Sequence, residues 1–251
     1  MTLLKVRNVS KSFGGVRALN DVSFDVSAGE IIGLIGPNGS GKSTLFNTLT
    51  NLFAKDGGEV EFDGIDITSS PPHRVASLGV ARTFQDARPL PQVSVHDNLD
   101  IAFRYKTPIT LANVFSKRGA LAEEEAANLE KIKEMLEEVG IRSKLDSFAV
   151  DLSYGQGKLL EILKVMAFDG KLVLLDEPFS GLFPEMIKLI TTLIRRMSEA
   201  GKTIILVEHN MKLINEICDR VIVLDAGKVI AEGPFEKVTK EKIVIESYLG
   251  E

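Results

Sequence analysis

The sequence has little cysteine and no long apolar run, and both shortages narrow the class of protein. Cys218 is the only cysteine among the 251 residues, so no intrachain disulfide can form, which suits a reducing cytosol. No apolar run approaches the ~20 residues of a membrane-spanning helix. Residues 1–5 do not resemble a signal peptide. Any membrane role is therefore expected to come through a partner.

The chain also lacks an excess of positive charge. Its 30 lysines and arginines are outnumbered by 35 aspartates and glutamates, which gives a formal net charge of −5. This balance offers no general basic surface for nucleic acid, and we expect no nucleic-acid partner. The sequence contains no internal repeat, low-complexity tract or linker. The length suits one large domain with a core of ordinary size.

The most informative segment fits G-x-x-x-x-G-K-[ST], the phosphate-binding loop (P-loop) of nucleotide hydrolases. Its residues are Gly36, Pro37, Asn38, Gly39, Ser40, Gly41, Lys42, Ser43 and Thr44. An apolar, strand-like run leads in, and a helix-like run follows, so backbone N–H groups and a helix N-terminus can bind phosphate. Lys42 can reach the β- and γ-phosphates, and Ser43 can ligate Mg²⁺. The plain alternative is a glycine-rich strand-to-helix turn that binds nothing.

A second pattern is an apolar strand that ends in two acids. The run LVLL at residues 172–175 is followed by Asp176, Glu177 and Pro178. Successive residues of a strand point in opposite directions, so the two acids can serve different tasks. Asp176 would hold Mg²⁺, and Glu177 would polarise the attacking water as a general base. The alternative is a strand that ends in a polar turn.

A third pattern combines a helix cap with small polar residues. It follows Leu152 and consists of Ser153, Tyr154, Gly155 and Gln156. Ser153 and Gln156 form S-x-x-Q, which predicts a capping box and an amphipathic helix. An exposed helix N-terminus with serine and glycine is also an anion site. The structural and the functional interpretation can hold together, because the cap presents the N–H groups.

The remaining patterns predict an α/β architecture. Strands and turns fill the first third, including a tight hairpin turn at Asp63 and Gly64. Residues 121–139 have the spacing of an amphipathic helix. Three nearly unbroken apolar runs predict strands covered on both faces, at residues 172–175, 203–207 and 221–224. The P-loop is then expected at the carboxyl end of a central parallel strand.

These motifs occur in the order found in ATP-binding-cassette (ABC) ATPases, and the chain resembles that superfamily. The Walker A, Q-loop, signature, Walker B and switch-histidine motifs correspond, respectively, to residues 36–44, 83–85, 152–156, 172–178 and 207–209. The sequence ARTFQ at 81–85, Tyr154 in the signature and the ending IESYLGE look most like the ATPase subunits of branched-chain amino acid importers. The resemblance implies a P-loop NTPase core with a parallel sheet, an N-terminal antiparallel β-subdomain and an inserted α-helical subdomain.

Within that single domain, the resemblance implies a core of residues 1–90 and 169–251 and a helical subdomain of residues 91–168. Phe13 matches the aromatic that stacks on adenine, although a buried strand-end phenylalanine is the alternative. Gln85 matches the residue that contacts Mg²⁺ and the lytic water, and the alternative is a surface amide. His209 matches the residue that contacts the γ-phosphate, and the alternative is a structural histidine.

The resemblance also implies an assembly in which two such domains enclose two ATP molecules. Ser153 and Gly155 of one chain would face the γ-phosphate bound by Lys42 of the other, as a homodimer or a heterodimer with a second ATPase subunit. Two transmembrane permease subunits would dock near residues 86–98 on the cytoplasmic face of the membrane, and an extracytoplasmic substrate-binding protein would act indirectly.

Two other functions stay open at this point. One is a soluble ABC ATPase of a cofactor-assembly or other non-transport complex. The other is a module that binds ATP without hydrolysing it, against which the acid at Glu177 and the histidine at His209 argue. One departure from the family pattern affects coupling. Phe183 stands where many relatives place Asp or Asn, and it cannot make their hydrogen bond between the two sites.

Overall fold

The computed structural model describes residues 1–83, 89–103 and 115–249. The chain divides into two compact units. Unit 1 comprises Met1–Arg82, Gly170–Phe179 and Ile194–Glu251, and unit 2 comprises Thr83–Asp169 and Ser180–Leu193.

The strands of the described residues all belong to unit 1. They are β1 (Thr2–Phe13), β2 (Val16–Ser27), β3 (Ile31–Ile35), β4 (Gly57–Phe62), β5 (Ile65–Asp66), β6 (Val80–Arg82), β7 (Leu172–Asp176), β8 (Thr203–Val207), β9 (Arg220–Asp225) and β10 (Lys228–Gly233). They form an antiparallel sheet of order β2-β1-β4-β5 and a larger sheet of order β10-β9-β3-β8-β7-β6. The α/β fold class expected from the sequence is confirmed.

The antiparallel sheet contains the predicted hairpin. Strands β4 and β5 pair with Phe62 opposite Ile65, and Asp63 and Gly64 form the turn with φ of 50° and 76°. Two successive residues with positive φ are what a type I′ turn requires, and its twist matches that of the flanking strands. The hairpin prediction is confirmed.

The larger sheet is parallel from β9 to β6, and only β10 runs antiparallel to its neighbour β9. Every residue of β3, β7 and β8 is buried, as the apolar runs predict. Strand β3 lies between β9 and β8, so the P-loop that follows it starts at the carboxyl end of a central strand. Apolar side chains from both sheets and from the segment that follows the P-loop form one core, which includes Phe24, Phe46 and Phe62.

The helices of the described residues are α1 (Lys42–Leu49), α2 (Pro72–Leu78), α3 (Val95–Asp100), α4 (Arg118–Glu138), α5 (Tyr154–Phe168), α6 (Pro184–Glu199), α7 (Met211–Ile217), α8 (Phe235–Val238) and α9 (Lys242–Leu249). Helix α4 begins three residues before the predicted one and buries Ile132 and Leu136 on its apolar face. Among these described helices, none combines the length and apolarity that a bilayer crossing demands.

Candidate nucleotide-binding site

The loop between β3 and α1 has a backbone that requires glycine at two positions. Gly36 and Gly41 have φ of 149° and 108°. A Cβ atom on Gly36 would lie 2.0 Å from the carbonyl oxygen of Leu224, and one on Gly41 would lie 2.5 Å from that of Ala18. Both distances are impossible for real atoms, so the glycine spacing of the motif is fixed by the close approach of neighbouring backbone.

Lys42, the first residue of α1, is almost fully buried at the end of this loop. Its Nζ donates to the carbonyl oxygens of Gly36 and Pro37 at 2.8 and 2.9 Å. Burial lowers the pKa of Lys42, and the charges of Glu177 and Asp176 oppose that lowering. The ammonium group is therefore held at the loop and within the field of two acids.

The N-terminus of α1 has no side-chain cap, because its N-cap residue is Gly41. The first N–H groups of a helix have no intrahelical acceptor, and they suit an anion when no side chain caps them. Ser43 lies exposed in the first turn. A phosphate could accept from these amides, and the Ser43 hydroxyl is accessible to a metal ion.

Asp176 ends strand β7 and is paired with a buried arginine. Its Oδ2 lies 3.4 Å from Nη2 of Arg82, the last residue of the neighbouring strand β6. Arg82 also donates from Nη1 to Oδ1 of Asn47 at 2.7 Å, and its guanidinium lies over the Phe46 ring. Burial lowers the pKa of Arg82, and Asp176 opposes this. The arginine thus ties the ends of two strands to helix α1.

Glu177 departs from the strand geometry that the sequence suggests. Strand β7 ends at Asp176, and Glu177 has a φ of 48°, in the left-handed region that is uncommon for its residue type. The expectation that strand alternation separates the two acids is therefore wrong, because this backbone turn redirects the chain after Asp176. Glu177 Oε1 lies 3.0 Å from Nε2 of His209.

A third acid, Glu208, holds the loops around this contact. It directly follows β8 and is 6% exposed. Its carboxylate accepts from the backbone N–H groups of Phe179, His209 and Asn210 at 3.1, 3.0 and 3.4 Å. The carboxylate therefore joins the segment after β7 to the segment after β8. Glu177 and His209 lie on those two segments, so their contact rests on this bond network.

Phe13 lies at the end of β1 beside the turn to β2, and it is 43% exposed. The alternative of a buried strand-end phenylalanine is wrong. Its ring centroid lies 5.2 Å from that of Phe53, with the planes at 74°. An exposed aromatic ring held by a second ring offers a surface on which a flat ligand can stack.

In unit 2, the predicted capping box is confirmed at the start of α5. Ser153 Oγ accepts from the N–H of Gln156 at 3.3 Å, and Gln156 Oε1 accepts from the N–H of Ser153 at 3.0 Å. The Tyr154 hydroxyl donates to the carbonyl oxygen of Ser180 at 3.1 Å, and its ring lies against Gly181. The cap therefore uses the polar groups that the sequence pattern singles out.

Comparison with known proteins decides the family. Residues 19–180 match the ABC transporter family. A probable branched-chain amino acid transport ATP-binding protein LivG of Archaeoglobus fulgidus is 39% identical, over 100% of this chain and 96% of that protein. The branched-chain amino acid transport protein BraF of Pseudomonas aeruginosa is 36% identical, over 99% and 98%. The chain belongs to the ABC transporter family.

A solved structure supports the same assignment. The ADP conformation of an ATP-binding cassette from an ABC transporter superposes with a TM-score of 0.82, at 34% identity and with full coverage of both chains. The chain is therefore a nucleotide-binding ABC ATPase. Unit 1 brings together four residues that the sequence predicts as the Walker A lysine, the two Walker B acids and the switch histidine: Lys42, Asp176, Glu177 and His209.

Two parts of the predicted site are not among these residues of unit 1. Gln85 of the Q-loop lies outside the described residues, and so does Phe84. The signature residues Ser153, Tyr154, Gly155 and Gln156 belong to unit 2, where their contacts are with each other and with the segment around Ser180. The roles of these residues stay predictions.

Sequence reasoning missed three residues that shape the ABC ATPase site. In the sequence, Arg82 is only part of the run before the Q-loop, and Glu208 is only the neighbour of His209. Both are charged residues at the carboxyl ends of strands. A charged side chain that is buried there requires a partner. Phe53 gave no comparable signal, because its contact with Phe13 spans 40 positions of sequence.

Proposed function

We propose that this ABC ATPase powers the import of branched-chain or related amino acids. The two relatives described above are named branched-chain amino acid transport ATP-binding proteins, and they match this chain over nearly its whole length. The observation that carries the hydrolytic part is the convergence of Lys42, Glu177 and His209 at the carboxyl ends of three neighbouring strands, β3, β7 and β8.

In the proposed reaction, the uncapped start of α1 binds the phosphates of ATP, and Lys42 turns its ammonium from the loop carbonyls to the β- and γ-phosphate oxygens. Glu177 accepts a proton from water as the water oxygen attacks the γ-phosphorus and ADP leaves. His209 orients the Glu177 carboxylate, with which it is in contact, and reaches the γ-phosphate. Glu208 holds the two loops that carry this pair.

The oxygen donors of the site fit magnesium. Asp176 supplies a carboxylate and Ser43 a hydroxyl, and Gln85 is a further candidate ligand. No group of three or more His, Cys, Asp or Glu side chains that could hold a metal occurs within residues 1–83, 89–103 and 115–249. Mg²⁺ prefers one or two protein oxygens together with phosphate oxygens and water, so a sparse set is appropriate. When bound, Mg²⁺ would neutralise charge on the phosphates.

We further propose that two such cassettes close on two ATP molecules. Ser153, Gly155 and the start of α5 would meet the γ-phosphate bound by the other chain, so ATP joins the two across a two-fold interface. Hydrolysis removes that link, and closing and opening would drive two transmembrane permease subunits. The second cassette is either another copy of this chain or a different ATPase subunit.

The permease subunits would hold the ATPase on the cytoplasmic face of the membrane, and an extracytoplasmic binding protein would deliver the amino acid. We propose residues 91–168 as the helical subdomain that docks to them, with residues 1–90 and 169–251 as the nucleotide-binding core. In the docking segment 86–98, described residues begin at 89. Exposed Leu90 and the short helix α3 lie there.

The substitution Glu177→Gln tests the catalytic assignment. It removes the base but keeps the size of the side chain, so turnover is expected to fall about 10²–10⁴-fold. ATP binding should persist, and light scattering should detect an ATP-dependent dimer. Glu185→Gln, at an exposed glutamate of α6, is the matched control. Unchanged turnover together with a monomer in saturating ATP would overturn the assignment.

The transport assignment is tested by affinity purification of the chain from its native membranes, with mass spectrometry of the bound proteins. Two polytopic permease subunits and a second ATPase subunit are expected to co-purify. Recovery of soluble proteins alone would contradict the transport role and leave the ATPase assignment in place.

A further inference from the structure

The ring of Phe13, which is predicted to stack on adenine, contacts a second aromatic ring from another segment of the chain. This residue stands at the end of β1, next to a two-residue turn formed by Gly14 and Gly15, both with positive φ. A half-exposed side chain beside such a turn makes few contacts with its own hairpin, so the hairpin alone does not fix its orientation. If the aromatic side chain is not already held in one orientation, binding must order it, and the entropy lost in that step weakens the affinity for the ligand.

The segment that follows α1 supplies the missing support. The Phe53 ring meets the Phe13 ring edge-on, with centroids 5.2 Å apart. Lys11 Nζ lies 5.3 Å from the centroid of Phe13, over the ring. Asp56 binds Lys11 Nζ at 2.9 Å and accepts from the N–H of Ser12 at 2.6 Å. These contacts hold the ring and the backbone beside it.

This supporting segment is itself well fixed. The Asp56 N–H donates to the carbonyl oxygen of Ser10 at 2.9 Å, and the Phe53 N–H donates to that of Asn47, in the last turn of α1, at 3.1 Å. Asn51 donates through Nδ2 to the carbonyl oxygens of Ile67 and Ser70 at 2.6 and 2.7 Å. The segment is therefore anchored to α1 and to the antiparallel sheet at once.

We propose that Phe53, with Lys11 and Asp56, forms a base brace: positioning residues that hold Phe13 ready to stack on the adenine ring. This inference rests on the proposed ATPase function and on the adenine-stacking role that the family resemblance predicts for Phe13. Helix α1 begins at Lys42 and ends at Leu49, four residues before Phe53, and its eight residues span about 12 Å. One short helix thus begins with the phosphate-binding lysine and leads at its other end into the segment that contains Phe53 and Asp56 of the brace.

The experiment compares ADP with inorganic pyrophosphate as ligands of the full chain in the presence of Mg²⁺. Phe53→Leu keeps an apolar side chain but removes the ring contact, so the Kd for ADP is expected to rise about threefold to tenfold. The Kd for pyrophosphate, measured by competition with ADP, should stay unchanged because pyrophosphate has no base. Leu52→Ala, at the exposed neighbouring residue, is the matched control.

Two further variants complete the test. Asp56→Asn, which loses the charge that binds Lys11, is expected to raise the Kd for ADP by about twofold. Adding Phe53→Leu to Phe13→Leu should cause no additional loss, because the brace acts only through Phe13. Thermal unfolding of each variant shows whether the fold is kept.

Three outcomes would overturn the proposal, and they are distinguishable. If Phe13→Leu weakens ADP binding and Phe53→Leu does not, the brace is wrong and the stacking role stands. If Phe53→Leu weakens pyrophosphate as much as ADP, the residue supports α1 and not the base. If Phe13→Leu itself leaves ADP binding unchanged while Lys42→Ala weakens it, the stacking role fails and the brace with it.

Discussion

Helix α1 in unit 1 and helix α5 in unit 2 both begin at serine and glycine residues, yet only one of them is capped by side chains. The start of α1 has Gly41 as its N-cap and no side-chain cap. The start of α5 has Ser153 and Gln156 in a complete capping box. Uncapped N–H groups are suited to a ligand, whereas capped ones are satisfied without it.

This difference in capping indicates which helix start can bind a ligand within a single chain. Helix α1 begins with Lys42, whose ammonium group is within the field of Asp176 and Glu177, so the predicted phosphate site can be recognised in one molecule. Helix α5 presents exposed Ser153 and Tyr154, whose polar groups contact Gln156 and the carbonyl oxygen of Ser180. The signature role proposed for it involves a second chain, which is why it stays a proposal.

The largest expected effect that tests this comparison is that of Lys42→Ala. Loss of a charge-assisted contact to phosphate, with its buried bonds to the loop, should weaken ADP binding by the monomer about 100-fold or more. Isothermal titration calorimetry measures this, with Lys212→Ala at an exposed position of α7 as the control. Near-normal affinity would refute the P-loop assignment.

The next effect concerns the buried ion pair of unit 1. Arg82→Met should lower the free energy of unfolding by about 3 kcal/mol, because it takes the guanidinium away from a carboxylate that is almost fully buried. The control is Lys5→Met, at the exposed pair with Glu61, which should change the free energy of unfolding by about 1 kcal/mol or less. Denaturant unfolding gives both values. Equal losses would mean that burial does not distinguish the two pairs.

Unit 2 should respond to pH through Glu161 on α5. Burial raises the pKa of Glu161 to about 7, and Lys158 and Lys164 oppose this. Since protonation favours the folded state here, the stability that this group contributes is full below its unfolded pKa and is lost as pH rises through about 7. Glu161→Gln should remove that loss. Between pH 5 and pH 8, the free energy of unfolding of the variant is therefore expected to rise by about 2 kcal/mol relative to that of the wild type.

Thermal unfolding of the wild type and Glu161→Gln at both pH values tests this. Glu123→Gln, at an exposed glutamate of α4, is the control and should behave like the wild type. A difference that grows as pH falls would contradict the assignment of the raised pKa to Glu161.

The smallest expected effect separates the two helix starts directly. Ser153→Ala removes the cap of α5 and should lower the free energy of unfolding by about 1 kcal/mol. Binding of ADP to the monomer should stay within twofold of the wild-type value, and ATP-driven dimerisation in the Glu177→Gln background should weaken. A loss of monomer affinity comparable to that of Lys42→Ala would erase the distinction between α1 and α5.

Local patterns in the sequence predict much of this structure. The P-loop, the capping box at Ser153 and the turn at Asp63 and Gly64 each depend on residues within a few positions, and each has the predicted local form. The apolar run before Asp176 likewise determines a strand covered on both faces. These features are short-range, so one segment contains the information for each of them.

The contacts that complete the site are long-range, and no local pattern contains them. Arg82 meets Asp176 because β6 and β7 are neighbours in the sheet, although the two residues are 94 positions apart. Glu208 binds the N–H of Phe179 for the same reason, since β7 and β8 are paired. The left-handed backbone at Glu177 also escapes prediction, because glutamate has no preference for it.

The backbone at Glu177 has a consequence for how this enzyme could be improved or damaged. A glutamate in the left-handed region costs about 1 kcal/mol relative to residues that visit it readily. Glu177→Asn should therefore raise the melting temperature by roughly 2–4 °C while turnover collapses, which scanning calorimetry and an ATPase assay would show together. Engineering this chain for thermal robustness alone would select against its proposed catalytic base, so such a search must be screened for phosphate release.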